Sequence, residues 1–293
     1  MRLVPPVMLS TNSPTVGDVS PGSFVPPWDV VTPQKTTNNW GVREAAEGCV
    51  RAGLPWIGLW RDKVAETGLE ESARIVREAG LRVSSLCRGG MFPAKTAAQR
   101  RSRLDDNRRA VDEAAALGTD VLVLVCGPPP DRDLDAARGS VEDGIERLAP
   151  YAAERSIKLG IEPFHPALMT ERSVVVTLAQ SLDIVERFAP HEVGVVVDVY
   201  HLFWDPDLYS QIRRASGRIL GFHVNDWVVR TRDPLLERGM MGDGIIELRR
   251  IRAAVEAAGY GGPIEVEIFN PAIWDRPGDE ILATTKERYT AYA

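Results

Sequence analysis

The chain has 293 residues, 44% hydrophobic and 26% charged, with a formal net charge of -6. The composition is globular, and its acidic sign argues against a nucleic-acid partner, because phosphate binding needs a basic face. Three cysteines, Cys49, Cys87 and Cys126, stand far apart without metal-type spacing and read as free thiols of a reducing compartment.

The chain opens on MRLVPPVMLS, whose short apolar run is broken by Pro5 and Pro6. This is not the pattern of a secretory signal, and no apolar run approaches the ~18 residues that span a bilayer. A cytoplasmic protein with no membrane partner is expected. Residues 3–9 are the first predicted strand. Residues 10–40 are rich in Ser, Thr, Pro and Asn, with Phe24 and Trp28 among them. A connection of that length exceeds the usual ~2–6 residues and predicts a long βα loop over the active-site face.

A strand follows at 56–60, then a helical stripe of Leu69, Ala73 and Val76 that stops at Gly80. After a strand at 82–86 comes the densest basic run, Arg100, Arg101, Arg103, Arg108 and Arg109. It is interleaved with Asp105 and Asp106 and reads as a solvated helix face. The apolar side of that helix, Leu104, Val111, Ala114 and Leu117, closes at Gly118. Strands are predicted at 121–125, 158–162, 193–198, 219–224 and 264–269. Between them run the stripes Leu178, Leu182 and Val185, ended by Pro190, and Leu248, Ile251 and Val255, ended by Gly259. Several strands are apolar throughout, as in a parallel sheet covered by helices. Eight alternating units predict a single (β/α)8 TIM barrel over residues 1–293. No GxGxxG follows the first strand, which weighs against an open doubly wound sheet.

The stretch GIEPFHP raises the functional question, since a core strand has no use for a terminal anion. Active sites of such barrels lie at the carboxyl ends of the strands. There the fifth strand ends on Glu162 with His165 beyond it, and the sixth on Asp198 with His201. The seventh carries His223 and Asp226, and the eighth Glu265 and Glu267. Singly, such a carboxylate is a helix cap or ion-pair partner, and such a histidine a structural hydrogen-bonding group. Four successive strands ending this way gather like charges that need a cation among them. Three carboxylates and an imidazole suit one divalent ion, Mn2+ first, with Mg2+, Co2+ or Zn2+ as alternatives. Glu265 and Glu267 share a strand face; Glu267 is nearer the carboxyl end and is chosen, which leaves Glu265 as a barrel-interior group.

The motifs IEPFHP, DVYHLFWDPDL, GFHVNDW, ERGMMGDGIIEL and GPIEVEIF resemble those of the xylose-isomerase-like sugar isomerase/epimerase superfamily. The resemblance covers the carboxy-terminal half; the rest matches in β/α rhythm only. It implies that Glu162, Asp198, His223 and Glu267 hold the metal and that His201 and Arg238 contact substrate. Arg238, set among Gly239, Gly242 and Gly244, is expected to swing over the barrel mouth. Where ketose epimerases tend to carry Asn and Arg after the strand-five glutamate, this chain has Phe164, His165 and Pro166. His165 is therefore expected as a second base or a substrate contact. The superfamily also holds apurinic-site endonucleases, which need further histidines after strands two and three. This chain has Trp60 and Arg61, and Cys87 and Arg88, at those places.

The resemblance implies a metal-dependent isomerase or epimerase acting on a small ketose or keto-sugar. Glu162 or Glu267 would take the proton beside the carbonyl to give an enediolate, and the other glutamate or His165 would return one. A lyase of the 3-keto-glycoside deglycosidase or inosose-dehydratase type is the alternative. A non-catalytic sugar-binding or scaffold barrel is the reading of another class. A homo-oligomer or a partner subunit is compatible with either.

Overall fold

The computed structural model describes residues 30–293. Its strands are β1 (Val30–Pro33), β2 (Trp56–Trp60), β3 (Arg82–Gly90), β4 (Val121–Val125), β5 (Lys158–Glu162), β6 (Val193–Asp198) and β7 (Ile219–Val224). A short antiparallel ribbon, β8 (Asp226–Trp227) with β9 (Arg238–Gly239), precedes β10 (Ile264–Val266). β1 to β7 and β10 close into an eight-stranded parallel barrel in which β1 pairs with β2 on one side and β10 on the other.

The expected eight strands are present, with one relocation. The predicted strand 3–9 lies outside the described residues, and β1 instead falls inside the stretch 10–40 read as a loop. Its sequence signal is faint, because only Val30 and Val31 precede Thr32 and the strand-ending Pro33. Beyond it the chain is locked rather than draped. Thr36 Oγ1 donates to the Val266 carbonyl at 2.5 Å and accepts from the Ile268 amide at 3.0 Å, and Gln34 Oε1 accepts from the Trp60 amide at 3.0 Å.

β3 runs past its predicted end because Gly89 and Gly90 continue the pairing with β4 after a register shift. Gly90 has φ +102, and a Cβ there would stand 2.0 Å from the Val125 carbonyl oxygen, so no other residue carries the strand through this point. Helices cover the barrel's outside as the stripes require. Leu178, Leu182 and Val185 are buried, as are Leu248, Ile251 and Val255. The basic run lies on the helix Ala97–Leu117, where Arg108 pairs with Asp105 and Arg109 with Asp106. The three cysteines are free and buried. No helix among the described residues is long and apolar enough to cross a membrane.

A candidate metal centre and active site

Parallel pairing brings the carboxyl ends of the strands to one rim, and register decides which side chains meet there. Asp198 is opposite His223 across β6 and β7, and His223 is opposite Glu265 across β7 and β10. One donor atom from each of Glu162, Asp198, His223 and Glu267 lies within 4.8 Å of the others, and all four residues are buried.

The fit of a cation rests on atoms left unanswered. His223 Nδ1 and Glu162 Oε1 approach to 3.2 Å, an ion-pair distance, and neither atom is answered by any group but the other. Buried polar atoms are normally satisfied. Two such atoms aimed at a shared space, beside two further carboxylates, form a donor set for a hard or borderline divalent ion. Glu265 sits behind. Its Oε1 accepts from Ser85 Oγ at 2.8 Å and its Oε2 lies 3.7 Å from His223 Nε2, so a proton on Nε2 faces Glu265 and frees Nδ1 as a ligand.

The cluster's electrostatics follow from burial and crowding. Burial opposes charge on Asp198, but the Arg238 charge, with that of His223, outweighs it and holds the carboxyl below its usual range. Burial also opposes a proton on His223, yet Glu265, Glu162 and Glu267 raise the imidazole to about 10. Burial pushes Glu267 up to about 7 against the pull of Arg238. Without metal, the cluster therefore stores protons that an incoming ion must displace.

Arg238 is fully buried. Its Nη1 donates to Asp198 Oδ2 at 3.0 Å and to Glu267 Oε2 at 2.7 Å, and its Nη2 stands 3.1 Å from His201 Nε2. The guanidinium also lies over the rings of Tyr200 and Phe269. The neighbouring glycines do not loosen it. Gly242 has φ +88, and a Cβ at Gly244 would meet the Trp227 carbonyl oxygen at 2.1 Å. These glycines serve close packing, not swing. Asp226, grouped by sequence with the rim ligand types, is consumed elsewhere. Its Oδ1 accepts from the amides of Trp227 and Ile246, and its Oδ2 from those of Gly242 and Gly244, all at 2.9–3.0 Å.

Two expected site residues stand apart from the cavity. His201 is fully buried, stacked on Phe164 at 4.0 Å, and sits behind Arg238 rather than on the wall. Burial holds its imidazole well below the usual value, so it is neutral. His165 packs its ring on Trp227 at 4.6 Å, with Phe203 and Trp204 nearby, and its Nδ1 accepts from the Ala167 amide at 3.2 Å. The two flanking prolines turn the chain so that Phe164, not His165, lines the chamber above the cluster.

That inner chamber, about 50 Å³, is bounded by Glu162, Glu267, Arg238, Phe164 and Leu235. It shares Trp60, Arg88, Arg172 and Phe269 with an outer chamber of about 430 Å³. Sequence reasoning missed these shared residues, and it missed Asn225, whose Nδ2 donates to Asp198 Oδ1 and the Glu267 carbonyl at 3.2 Å. An amide two residues past His223 on an apolar strand was the available signal.

The family model "Xylose isomerase-like TIM barrel" matches residues 46–289. The chain is 32% identical over 186 residues to a 3-dehydroshikimate dehydratase of Pseudomonas aeruginosa, covering 58% of this chain and 27% of that protein. It thus spans about a quarter of the dehydratase's length. It is 24% identical over 211 residues to the L-ribulose-5-phosphate 3-epimerase UlaE of Salmonella paratyphi A, covering 70% of this chain and 71% of that one. A crystal structure of a Sinorhizobium meliloti 1021 protein superposes with a TM-score of 0.89 at 48% identity, over 92% of this chain and 99% of that chain.

Proposed function

Because this chain belongs to the xylose isomerase-like TIM barrel family, we propose that it is a divalent-metal-dependent sugar isomerase or epimerase acting beside the carbonyl of a hydroxy-ketone. The observation that carries this reading is the buried donor set Glu162, Asp198, His223 and Glu267 with its unanswered Nδ1 and Oε1 atoms. Those four residues would hold the ion, which supplies Lewis-acid polarisation of the carbonyl.

The chain's own groups divide the remaining work. Only Glu162 and Glu267 of the four line the inner chamber, so they are the pair placed to take and return a proton at the carbon beside the carbonyl. Arg238 also lines the chamber and can donate to the oxygen that gains charge as the proton leaves. Neutral His201 and the Tyr200 and Phe269 rings hold the guanidinium in place. Phe164, Leu235 and Val125 keep the chamber apolar on the remaining side. A second reading, elimination, draws on the likeness to the dehydratase: a leaving group one carbon further from the carbonyl would depart after the same proton abstraction.

The test is a panel of ketoses, keto-inositols and keto-acids incubated with Mn2+-loaded protein in deuterated water. The expected result is deuterium at the carbon beside the carbonyl, with epimer or dehydrated product separating the two readings. No incorporation from any member, together with no bound metal after Mn2+ loading, would reject both. His165→Gln adds a further check. With the ring stacked in an aromatic cluster, exchange is expected to stay within about tenfold of wild type. A loss of about 10²–10⁴-fold at full metal content would instead make His165 a base.

A further inference from the structure

Two arginines in the cavity wall lack the carboxylates that every other cation there has. Lys35 pairs with Asp62, Arg61 with Asp106 and Glu113, and Arg238 with Asp198 and Glu267. Among the described residues, the guanidinium groups of Arg88 and Arg172 make no hydrogen bond or ion pair, and Arg172 Nε is buried without a partner. Both residues line the inner and the outer chamber, where the two join.

Their backbones are pinned, so the pair is built and not incidental. Arg88 lies in β3, between Cys87 and Gly89, which pair with Val123 and Leu124 of β4. The Arg172 amide donates to the Leu168 carbonyl at 2.8 Å, and its own carbonyl accepts from the Gly127 amide at 2.9 Å. Burial, then the Arg88 charge, pulls Arg172 below the usual guanidinium range against the weaker pull of Glu171, as expected of two like charges facing one space. Trp60 and Phe269, edge to face at 5.5 Å, form an apolar wall beside them. Holding two half-buried guanidinium groups together without a paired anion is costly, and planar forks of this kind match a carboxylate or a phosphate in two-point contact.

We propose that Arg88 and Arg172 bind an oxyanion carried by the substrate itself, a carboxylate or a phosphate, at the junction of the two chambers. The inference rests on the reading that the substrate's reacting carbon faces Glu162 and Glu267. The substrate is then an acidic hydroxy-ketone, and neutral ketoses or keto-inositols lack the group the outer wall recognises.

Calorimetric titration of the Mn2+-loaded protein tests this with inorganic phosphate and two matched pairs. One pair is a ketopentose and its 5-phosphate; the other is a polyhydroxylated cyclohexanone with and without a ring carboxylate. In at least one pair the anionic member is expected to bind roughly 10–100-fold tighter, as charge-assisted contacts predict. The pair with the larger preference identifies the anion. Arg88→Gln and Arg172→Gln should each remove most of that preference while leaving the neutral member's affinity unchanged, and melting curves report whether each variant is folded. Equal binding within both pairs overturns the proposal. So does a preference that survives in both folded variants, or absence of saturable binding of phosphate and every anionic probe. Deuterium exchange is read in parallel: anion preference without exchange removes only the proton-abstraction reading, and exchange without preference removes only this one.

Discussion

Deuterium exchange beside the substrate carbonyl is expected to fall by about 10²–10⁴-fold in Glu162→Gln and equally in Glu267→Gln, the usual cost of losing a positioned acid or base. Both carboxylates face the inner chamber, whereas Asp198 and His223 do not. Both also belong to the donor set, so the measurement must be made at saturating Mn2+ to separate lost chemistry from lost metal. The pH dependence of metal binding supplies an independent readout. Glu267 has its pKa raised to about 7, and it must lose its proton before it can ligate. Displacing the His223 proton, held to about 10, already weakens wild-type affinity by about tenfold per unit as pH falls toward 7, and below 7 the Glu267 proton should add a further tenfold per unit. In Glu267→Gln that further steepening below 7 should vanish while the His223 slope remains. A variant that keeps both exchange and the wild-type pH slope would remove Glu267 from the site.

Arg238→Met is expected to destabilise the metal-free protein strongly and the metal-loaded protein much less. Removing one member of a buried ion pair commonly costs about 3–5 kcal/mol, because the partner charge stays behind. Here two partners stay behind, Asp198 and Glu267, with Nη1 hydrogen bonds of 3.0 and 2.7 Å lost. At roughly 2–4 °C per kcal/mol for a domain of this class, the metal-free melting temperature should drop by about 6–20 °C. A bound divalent ion supplies the missing positive charge, so Mn2+ should recover most of the loss. Catalysis should remain impaired in both states, since the donor to the substrate oxygen is gone. An equal fall with and without Mn2+, or none at all, would contradict the view that guanidinium and metal share one set of anions.

The barrel and the four-residue donor set were legible because both are written in strand rhythm. Apolar runs fix the strands, and a carboxylate or imidazole at the end of such a run can only face the rim. β1 was not legible, since Val30 and Val31 alone carry its apolar signal amid prolines and threonines. His165 illustrates what a strand-end position leaves open. It stands three residues after Glu162, but Pro163 and Pro166 redirect the chain and the ring finds Trp227. Adjacency along a strand end is not adjacency in the site. Arg88 and Arg172 carry no sequence pattern of their own. Their meaning lies in the lack of a paired carboxylate, and that is visible only in three dimensions. The burial of Arg238 was hidden for a related reason, because glycines that signal freedom in a sequence can equally signal crowding.

Asp226 has a consequence for how the segment that carries Arg238 holds together. One carboxylate gathers the amides of Trp227, Gly242, Gly244 and Ile246, so none of the four can be released by a small local shift alone. Moving any of them breaks the shared anchor, and a half-open segment leaves a buried carboxylate short of donors. The stretch that carries Arg238 therefore opens as one cooperative unit or stays shut, with a single free energy common to all four amides. Because that segment carries Arg238, the same anchor also fixes where the guanidinium stands on the wall of the inner chamber.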